Sequence, residues 1–428
     1  MPQKRRVKLS HRLRLSARLK QLGPGLVTGA ADDDPSGIAT YSQAGARFGF
    51  SLLWTMLLTY PLMCAVQLVS AHIGRVSGKG LASNMAAVIP KPLVLALVLL
   101  LFVANTINIA ADLAMMGDVA RLVTGLPAHW MTIAFALFSL GLQLFVPYPR
   151  YASFLKWLTL SLFAYFGVLL LVKLDWSQVA AGLFVPHVPG KEALIMIVAI
   201  FGTTISPYLF FWQSAQEVEE MHRHQEKPLT EDGAPAKAEF RRIGFDTMAG
   251  MAISNLVAIA IIIATAATIH SHGGGDIQTA ADAANALKPI AGNYAFALFA
   301  LGIIGTGLLA VPVLAGSAAY AIGESQGWKS GLDNKPWEAI GFYGVIVAAT
   351  LLGVAIQWSD IDPIKALFWS AVVNGVVAVP IMAAMMFVAS RAAIMGDLPI
   401  SRRLAFWGWL ATAVMAAAVV AMALSGGF

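Results

Sequence analysis

Charge is what this chain has least of. Lys, Arg, Asp and Glu make up 12% of its 428 residues and 58% of residues are hydrophobic, whereas roughly a quarter of the residues in a soluble domain are charged. That balance excludes an ordinary soluble domain. Alternation of apolar and polar residues, the mark of a membrane β-barrel, is missing too. The apolar runs are continuous, and several reach the roughly 20 residues needed to cross a hydrocarbon core. There is one cysteine, Cys64, inside such a run, so no internal disulfide can form and the redox compartment is left open. Acid is absent from residues 1–22, which hold eight Lys and Arg. No short apolar region with a small-residue cleavage site follows, so a signal peptide is not expected.

What is present reads as an all-α polytopic membrane protein. Eleven spans are expected, at about 22–49 (broken), 50–74, 92–118, 129–147, 151–173, 191–218 (broken), 244–269, 293–320, 338–357, 364–389 and 404–425. The net charge of +6 would suggest nucleic acid in a soluble protein; here the basic residues lie in loops, and no nucleic-acid partner is expected. With the N-terminus inside, 23 of the 29 Lys and Arg fall in inner segments and six in outer ones. Cytoplasmic loops carry such an excess, so the N-terminus is expected in the cytoplasm and the C-terminus outside, in the cell membrane. Residues 1–21 form a basic cytoplasmic tail, read as disordered or, with Leu13, Leu15 and Leu19 among its basic residues, as an interfacial helix on anionic lipid. The polar stretch 219–242 is expected to be a flexible inner loop. Residues 271–292 are an outer loop, where His270 and His272 beside GGGD match no standard zinc spacing.

Two spans are interrupted in the same manner. Residues 22–50 read LGPGLVTGAADDDPSGIATYSQAGARFGF, where Asp32, Asp33, Asp34 and Pro35 stop an apolar run that then resumes. Ionisable residues at membrane depth are costly and read first as a functional site. In KEALIMIVAIFGTTISPYLFFWQSAQEVEE, Pro207 follows Thr203, Thr204 and Ser206. Proline removes a backbone donor and clashes with the carbonyl four residues back. A lone Pro207 is commonly a harmless kink. Paired with DDDPSG, it marks matching interruptions in two halves, the best sequence pointer to a transporter site between inverted repeats. The repeats are spans one to five (about 22–173) and six to ten (about 191–389), with about 404–425 as an accessory helix, all in one transmembrane domain over 22–425.

Unwound backbone beside a carboxylate suits a cation. Asp34 precedes Pro35, which biases it away from helix, and it is the first candidate to touch the ion. Asp32 and Asp33 point elsewhere along the chain, and their protonation is left open. The other expected ligands, around Gly37, Thr203 and Ser206, are carbonyls and hydroxyls. Oxygen-only sites suit magnesium, calcium or manganese. Ser36 and Gly37 leave room for an ion that keeps part of its water. Thr204, Tyr208, Gln213, Asp112 and Asn374 are supporting candidates, with interhelical hydrogen bonding the commoner use of a residue like Asn374. Asp112 and Asp118 are placed near the outer end of span three. Asp246 is read as a carboxylate at the opening of span seven. Glu217, Glu219 and Glu220 are read as a solvated helix end or a cation exit.

At these residues the chain resembles the NRAMP family of divalent metal transporters. GPGLVTGAADDDPSGIATYSQAGARFG is similar to that family's first helix, and GIIGTGLLAVPVLAGSAAYAIGE to its eighth. The resemblance implies an eleven-helix LeuT-type fold, an inverted repeat with the metal held between helices one and six. It also implies differences. The family's Asp-Pro-Gly-Asn is here Asp34-Pro35-Ser36-Gly37, without the asparagine ligand. Its Met-Pro-His is here Ser206-Pro207-Tyr208, without the sulfur. A second histidine is replaced by Gln213, and an acidic partner of Asp112 by Met115. These departures resemble the NRAMP-related branch that carries magnesium and also plant relatives that carry trivalent aluminium, between which the loss of Met alone does not choose; magnesium is favoured, so the resemblance implies Mg2+ (or Mn2+) uptake without strong proton coupling. The alternative is a proton-coupled Mn2+ or transition-metal transporter. An organic-solute carrier of the same fold, an intramembrane aspartate enzyme and a non-transporting metal sensor are further readings. No cofactor and no enzyme activity are expected; the partners are membrane lipid and the cation, and a monomer is expected.

Overall fold

The computed structural model describes residues 24–148, 150, 157–232, 236–273, 275–356 and 362–426. The basic tail 1–21 and the start of the fifth expected span lie outside the described residues. All regular structure among the described residues is helical. In chain order the first half contains α1 (Pro24–Asp32), α2 (Pro35–Phe48), α3 (Trp54–Ser77), α4 (Leu81–Val88), α5 (Lys91–Thr124), α6 (Ala128–Phe145), α7 (Ala164–Leu171) and α8 (Trp176–Phe184). The second contains α9 (Lys191–Thr204), α10 (Pro207–Arg223), α11 (Ala236–Thr268), α12 (Ala280–Asn285), α13 (Ala295–Ser325), α14 (Ile340–Ile356), α15 (Pro363–Ala389) and α16 (Arg402–Leu424). Eight helical stretches among the described residues are long and apolar enough to cross a membrane, α9 with α10 counting as one. At the three remaining expected positions stand the pair α1/α2 and the shorter apolar helices Leu160–Leu171 and Ile340–Ile356.

Both breaks form where the sequence places a proline at the first turn of a new helix. Pro35 and Pro207 lack the amide that would go unsatisfied there anyway. Asp34, extended at φ −70° and ψ 169°, caps α2 by accepting the Gly37 amide at 2.7 Å. Ser206 precedes α10, but its hydroxyl turns back and donates to the Gly202 and Thr203 carbonyls at 2.9 and 2.8 Å. Thr204 donates to Ile200 O at 2.8 Å. The hydroxyls thus cover carbonyls freed at the end of α9.

Bare backbone lets the broken helices sit deep in the bundle. A Cβ on Gly29 of α1 would stand 2.4 Å from the Gly250 carbonyl of α11. A Cβ on Gly202 of α9 would stand 2.0 Å from the Ala371 carbonyl of α15. Small residues at membrane helix contacts permit such backbone approach. Gly29→Ala is therefore expected to destabilise the fold by about 1–3 kcal/mol through overpacking, read as earlier thermal aggregation of purified protein in size-exclusion assays. A variant as heat-resistant as the parent would refute this packing account.

Three expectations about the inner segments need correction. The stretch 219–242 is not a flexible loop where it is described. Helix α10 runs to Arg223, a short turn covers Leu229–Asp232, and α11 begins at Ala236. Arg75 of α3, buried, donates to Lys227 O at 2.7 Å and pairs with Glu226 and Glu239 at 2.8 and 3.3 Å. Local composition could not show this distant buried partner. Glu217 and Glu219 are likewise not a solvated helix end. Glu217 is buried and paired with Arg242 at 2.9 Å, while Glu219 accepts from the Tyr320 hydroxyl, the Leu332 amide and Arg223. Asp246 does not open α11; it lies three turns inside, and its Oδ2 accepts the Gly25 amide at 2.7 Å. The carboxylate does serve a helix N-terminus, but that of α1.

At the opposite end of the bundle, Arg47 at the close of α2 pairs with Glu192 at the start of α9 and with Asp276, at 2.5 and 2.8 Å. His270 places Nδ1 3.0 Å from Ala46 O. The segment after α11 thereby holds the C-terminal end of α2.

Candidate metal site between the two broken helices

The two breaks meet. A Cβ on Gly37 would lie 3.1 Å from Thr203 Oγ1 and 3.4 Å from Asp32 O, so the missing side chain leaves the start of α2 open toward the end of α9. Tyr208, at the start of α10, directs its hydroxyl to Ala31 O and Asp34 Oδ2, each at 3.3 Å. Asn108 of α5 donates from Nδ2 to the same Oδ2 at 3.0 Å. Ser370 of α15 donates to Asn108 Oδ1 at 2.7 Å, and Ser36 donates to Leu367 O at 3.0 Å. Asp34 is thus gripped from α2, α5 and α10 and is 2% exposed.

Asp34 parts from the other two aspartates, which share a partner. Ser254 of α11 lies 2.7 Å from Asp32 Oδ2 and 3.0 Å from Asp33 Oδ1, on the other side of α1. Asp32 Oδ1 is buried without a hydrogen-bond partner among the described residues. The hydrogen-bond partners of all three carboxylates are neutral amides and hydroxyls. Buried carboxylates without a cationic partner are expensive, and either a bound cation or a proton on the carboxylate offsets that cost.

Asp112, one turn beyond Asn108, is fully buried, and neither of its carboxylate oxygens has a partner among the described residues. It belongs with the breaks rather than with Asp118, which pairs with Arg121 at 2.6 Å. Asn374, one turn beyond Ser370 on α15, is buried with Oδ1 unpartnered among the described residues. Gln213 lies away from the break. It accepts from Thr28 at 2.6 Å and donates to Glu217 at 3.2 Å, tying α1 to α10. Ser206 and Thr204 turn their hydroxyl protons to carbonyls of α9, though the oxygen of Ser206 retains lone pairs. Among the described residues no three His, Cys, Asp or Glu side chains converge as a metal-binding group. A cation at Asp34 must therefore complete its shell with hydroxyls, carbonyls and water.

Asn108, Ser370 and Ser254 were not singled out from the sequence. The signal for Asn108 was there: Asn105, Asn108 and Asp112 recur at helical spacing in an apolar span. Asn105 serves packing, donating to Leu314 O and Ser317 at 2.8 and 2.9 Å.

Membrane-length helices around two facing breaks, with a buried carboxylate at their junction, define an α-helical membrane protein of the LeuT-type broken-helix class. Residues 25–425 match the family model described as natural resistance-associated macrophage protein-like. The chain belongs to the Nramp family. Among its relatives is the divalent metal cation transporter MntH of Yersinia pestis, 30% identical over 312 residues, covering 71% of this chain and 72% of that one. The MntH of Deinococcus radiodurans is 29% identical over 296 residues, covering 67% of this chain and 65% of the relative, just under two thirds of its length. A manganese transporter structure from Eremococcus coleocola superposes with a TM-score of 0.72 at 18% identity, covering 96% of this chain and 87% of that chain; at that identity it speaks for the fold.

Proposed function

We propose that this chain is a transporter, not an enzyme, that carries divalent metal cations by alternating access. Asp34 supplies the charge, and oxygens around Gly37, Thr203 and Ser206 replace part of the ion's water. The carrying observation is Asp34 itself: a buried carboxylate at the meeting point of two broken helices, held by neutral donors alone. The basic end faces the cytoplasm, and the membrane is the cell membrane. A negative-inside potential then favours entry by about 2.3 kcal/mol per charge per 100 mV.

The cation is Mg2+ or Mn2+ in this reading. No Met, Cys or His stands in DDDPSG or TTISPY, and hard oxygen donors accept both ions. The magnesium-type branch is supported by the absent Asn and Met ligands. Manganese is supported by kinship, since the structural neighbour is named a manganese transporter. A second reading, proton-coupled manganese transport, draws on buried Asp112. Proteoliposomes loaded with a pH indicator separate these. Uptake of both ions without internal acidification is expected; uptake of manganese alone with acidification would replace the first reading by the second.

A further inference from the structure

We infer that Asn108, held by Ser370, confines the cation to one oxygen of Asp34 and so discriminates small, hydrated divalent ions from calcium. This rests on the metal-transport reading of the same site. A carboxylate offers about four lone-pair positions. At Oδ2, Asn108 Nδ2 approaches to 3.0 Å and the Tyr208 hydroxyl, whose one proton is shared with Ala31 O, to 3.3 Å, so two side chains crowd this oxygen. Oδ1 takes the Gly37 amide at 2.7 Å and no side-chain donor among the described residues, so it is the more open of the two oxygens. An ion arriving at the junction therefore meets a one-oxygen ligand.

The orientation of Asn108 is set by its other neighbour. Each serine has one proton to give. Ser370 lies 2.7 Å from both Leu367 O and Asn108 Oδ1; Ser36, 3.0 Å from Leu367 O, also serves that carbonyl, which lets the Ser370 proton go to Asn108. The opposite amide flip would turn Asn108 Oδ1 toward the Asp34 carboxylate, placing acceptor against acceptor. Asn108 and Ser370 are both buried, so water does not compete for this arrangement, and three helices (α2, α5 and α15) hold it.

Coordination chemistry turns that restraint into selectivity. Magnesium demands near-octahedral geometry at about 2.0–2.1 Å, keeps several waters and takes single carboxylate oxygens. Calcium takes about 6–8 oxygens at longer range and uses bidentate carboxylates to reach that number. A one-oxygen aspartate beside small residues satisfies the first and underserves the second. Removing Asn108 frees a lone pair on Oδ2 and opens the bidentate mode.

The test is competitive Mg2+ and Ca2+ uptake in proteoliposomes by the parent, Asn108→Ala, Ser370→Ala and Asp34→Asn. The calcium-to-magnesium ratio should rise about tenfold in Asn108→Ala, a change of about 1.4 kcal/mol in relative preference, and by less in Ser370→Ala, which keeps the amide but loosens it. Merely structural damage would lower both fluxes and leave the ratio fixed. Asn108→Ala with an unchanged ratio overturns the inference; if that variant does not yield folded protein, an unchanged ratio in Ser370→Ala does so. Loss of both fluxes in Asp34→Asn alongside an unchanged ratio overturns the inference while the transport reading stands. Normal uptake by Asp34→Asn overturns both.

Discussion

Asp34→Asn is expected to cut divalent-cation uptake at least a hundredfold while leaving the protein folded. The substitution keeps the shape of the side chain and still allows one oxygen to accept the Gly37 amide that caps α2. What it removes is the charge. Unit charges 4 Å apart attract by about 4 kcal/mol at the effective dielectric of a partly wet protein site, and a divalent ion doubles that figure. A hundredfold loss needs only about 2.7 kcal/mol, so even heavy compensation by water leaves a large effect. There is a second penalty: the new amide cannot accept on both sides, and the donors of Asn108 and Tyr208 would face an NH2 group. Uptake of Mg2+ and Mn2+ into proteoliposomes, normalised to reconstituted protein, measures it. Uptake within twofold of the parent would remove Asp34 from the site. Asp32→Asn and Asp33→Asn should be milder, because those carboxylates face Ser254 rather than the junction and act on the ion only through their field.

The two breaks were legible because proline and adjacent polar residues are local signals. Pro35 and Pro207 dictate helix starts, and Asp34 and Ser206 occupy the extended positions just before them. The separation of Asp34 from its neighbours has a local cause, since Pro35 holds it extended at the helix start, whereas the meeting of Asp32 and Asp33 at one hydroxyl, Ser254, depends on a helix more than 200 residues away. What grips Asp34 was not legible. Asn108 lies 74 residues away and Ser370 still further, and a polar residue in an apolar span reads equally well as interhelical packing, which is what Asn105 does. The inner segments failed for the same reason. A stretch rich in Glu, Lys, His and Pro has the composition of a solvated loop, and only the buried guanidinium of Arg75 arriving from α3 gives its carboxylates and carbonyls a reason to order. Asp246 serves the N-terminus of α1 and not that of its own helix, because the backbone contact of Gly29 with Gly250 brings α1 against α11.

Arg242→Ala should be among the most destabilising single changes in the chain. Its Nη2 lies 2.9 Å from Glu217, whose side chain is fully buried. The only other partner recorded for Glu217 among the described residues is Gln213 Nε2 at 3.2 Å. Removing one partner of a buried ion pair typically costs about 3–5 kcal/mol because the remaining charge is stranded. Arg242 is itself 20% exposed, so water entering the space it leaves places the expected loss near the lower bound. Arg242 also pairs with Glu239 at 3.1 Å, and Glu239 with Arg75 at 3.3 Å, so the end of α3, the end of α10 and the start of α11 loosen together. The mechanism is separable from simple loss of packing. If the stranded carboxylate is responsible, adding Glu217→Gln to Arg242→Ala should restore much of the lost heat resistance, since a neutral amide has far less to lose on burial. If lost packing is responsible, the double variant should be as unstable as Arg242→Ala or worse. Thermal denaturation of the purified parent, both single variants and the double variant decides between these outcomes. The result also bears on transport. Thr28, Gln213, Glu217 and Arg242 form one hydrogen-bonded line from α1 through α10 to α11, so in the alternating access proposed above any separation of α1 from α10 would break it. With Arg242 gone, Gln213 is the one donor left to Glu217 among the described residues, so cation flux through Arg242→Ala should differ from that through the double variant, in which the carboxylate is absent.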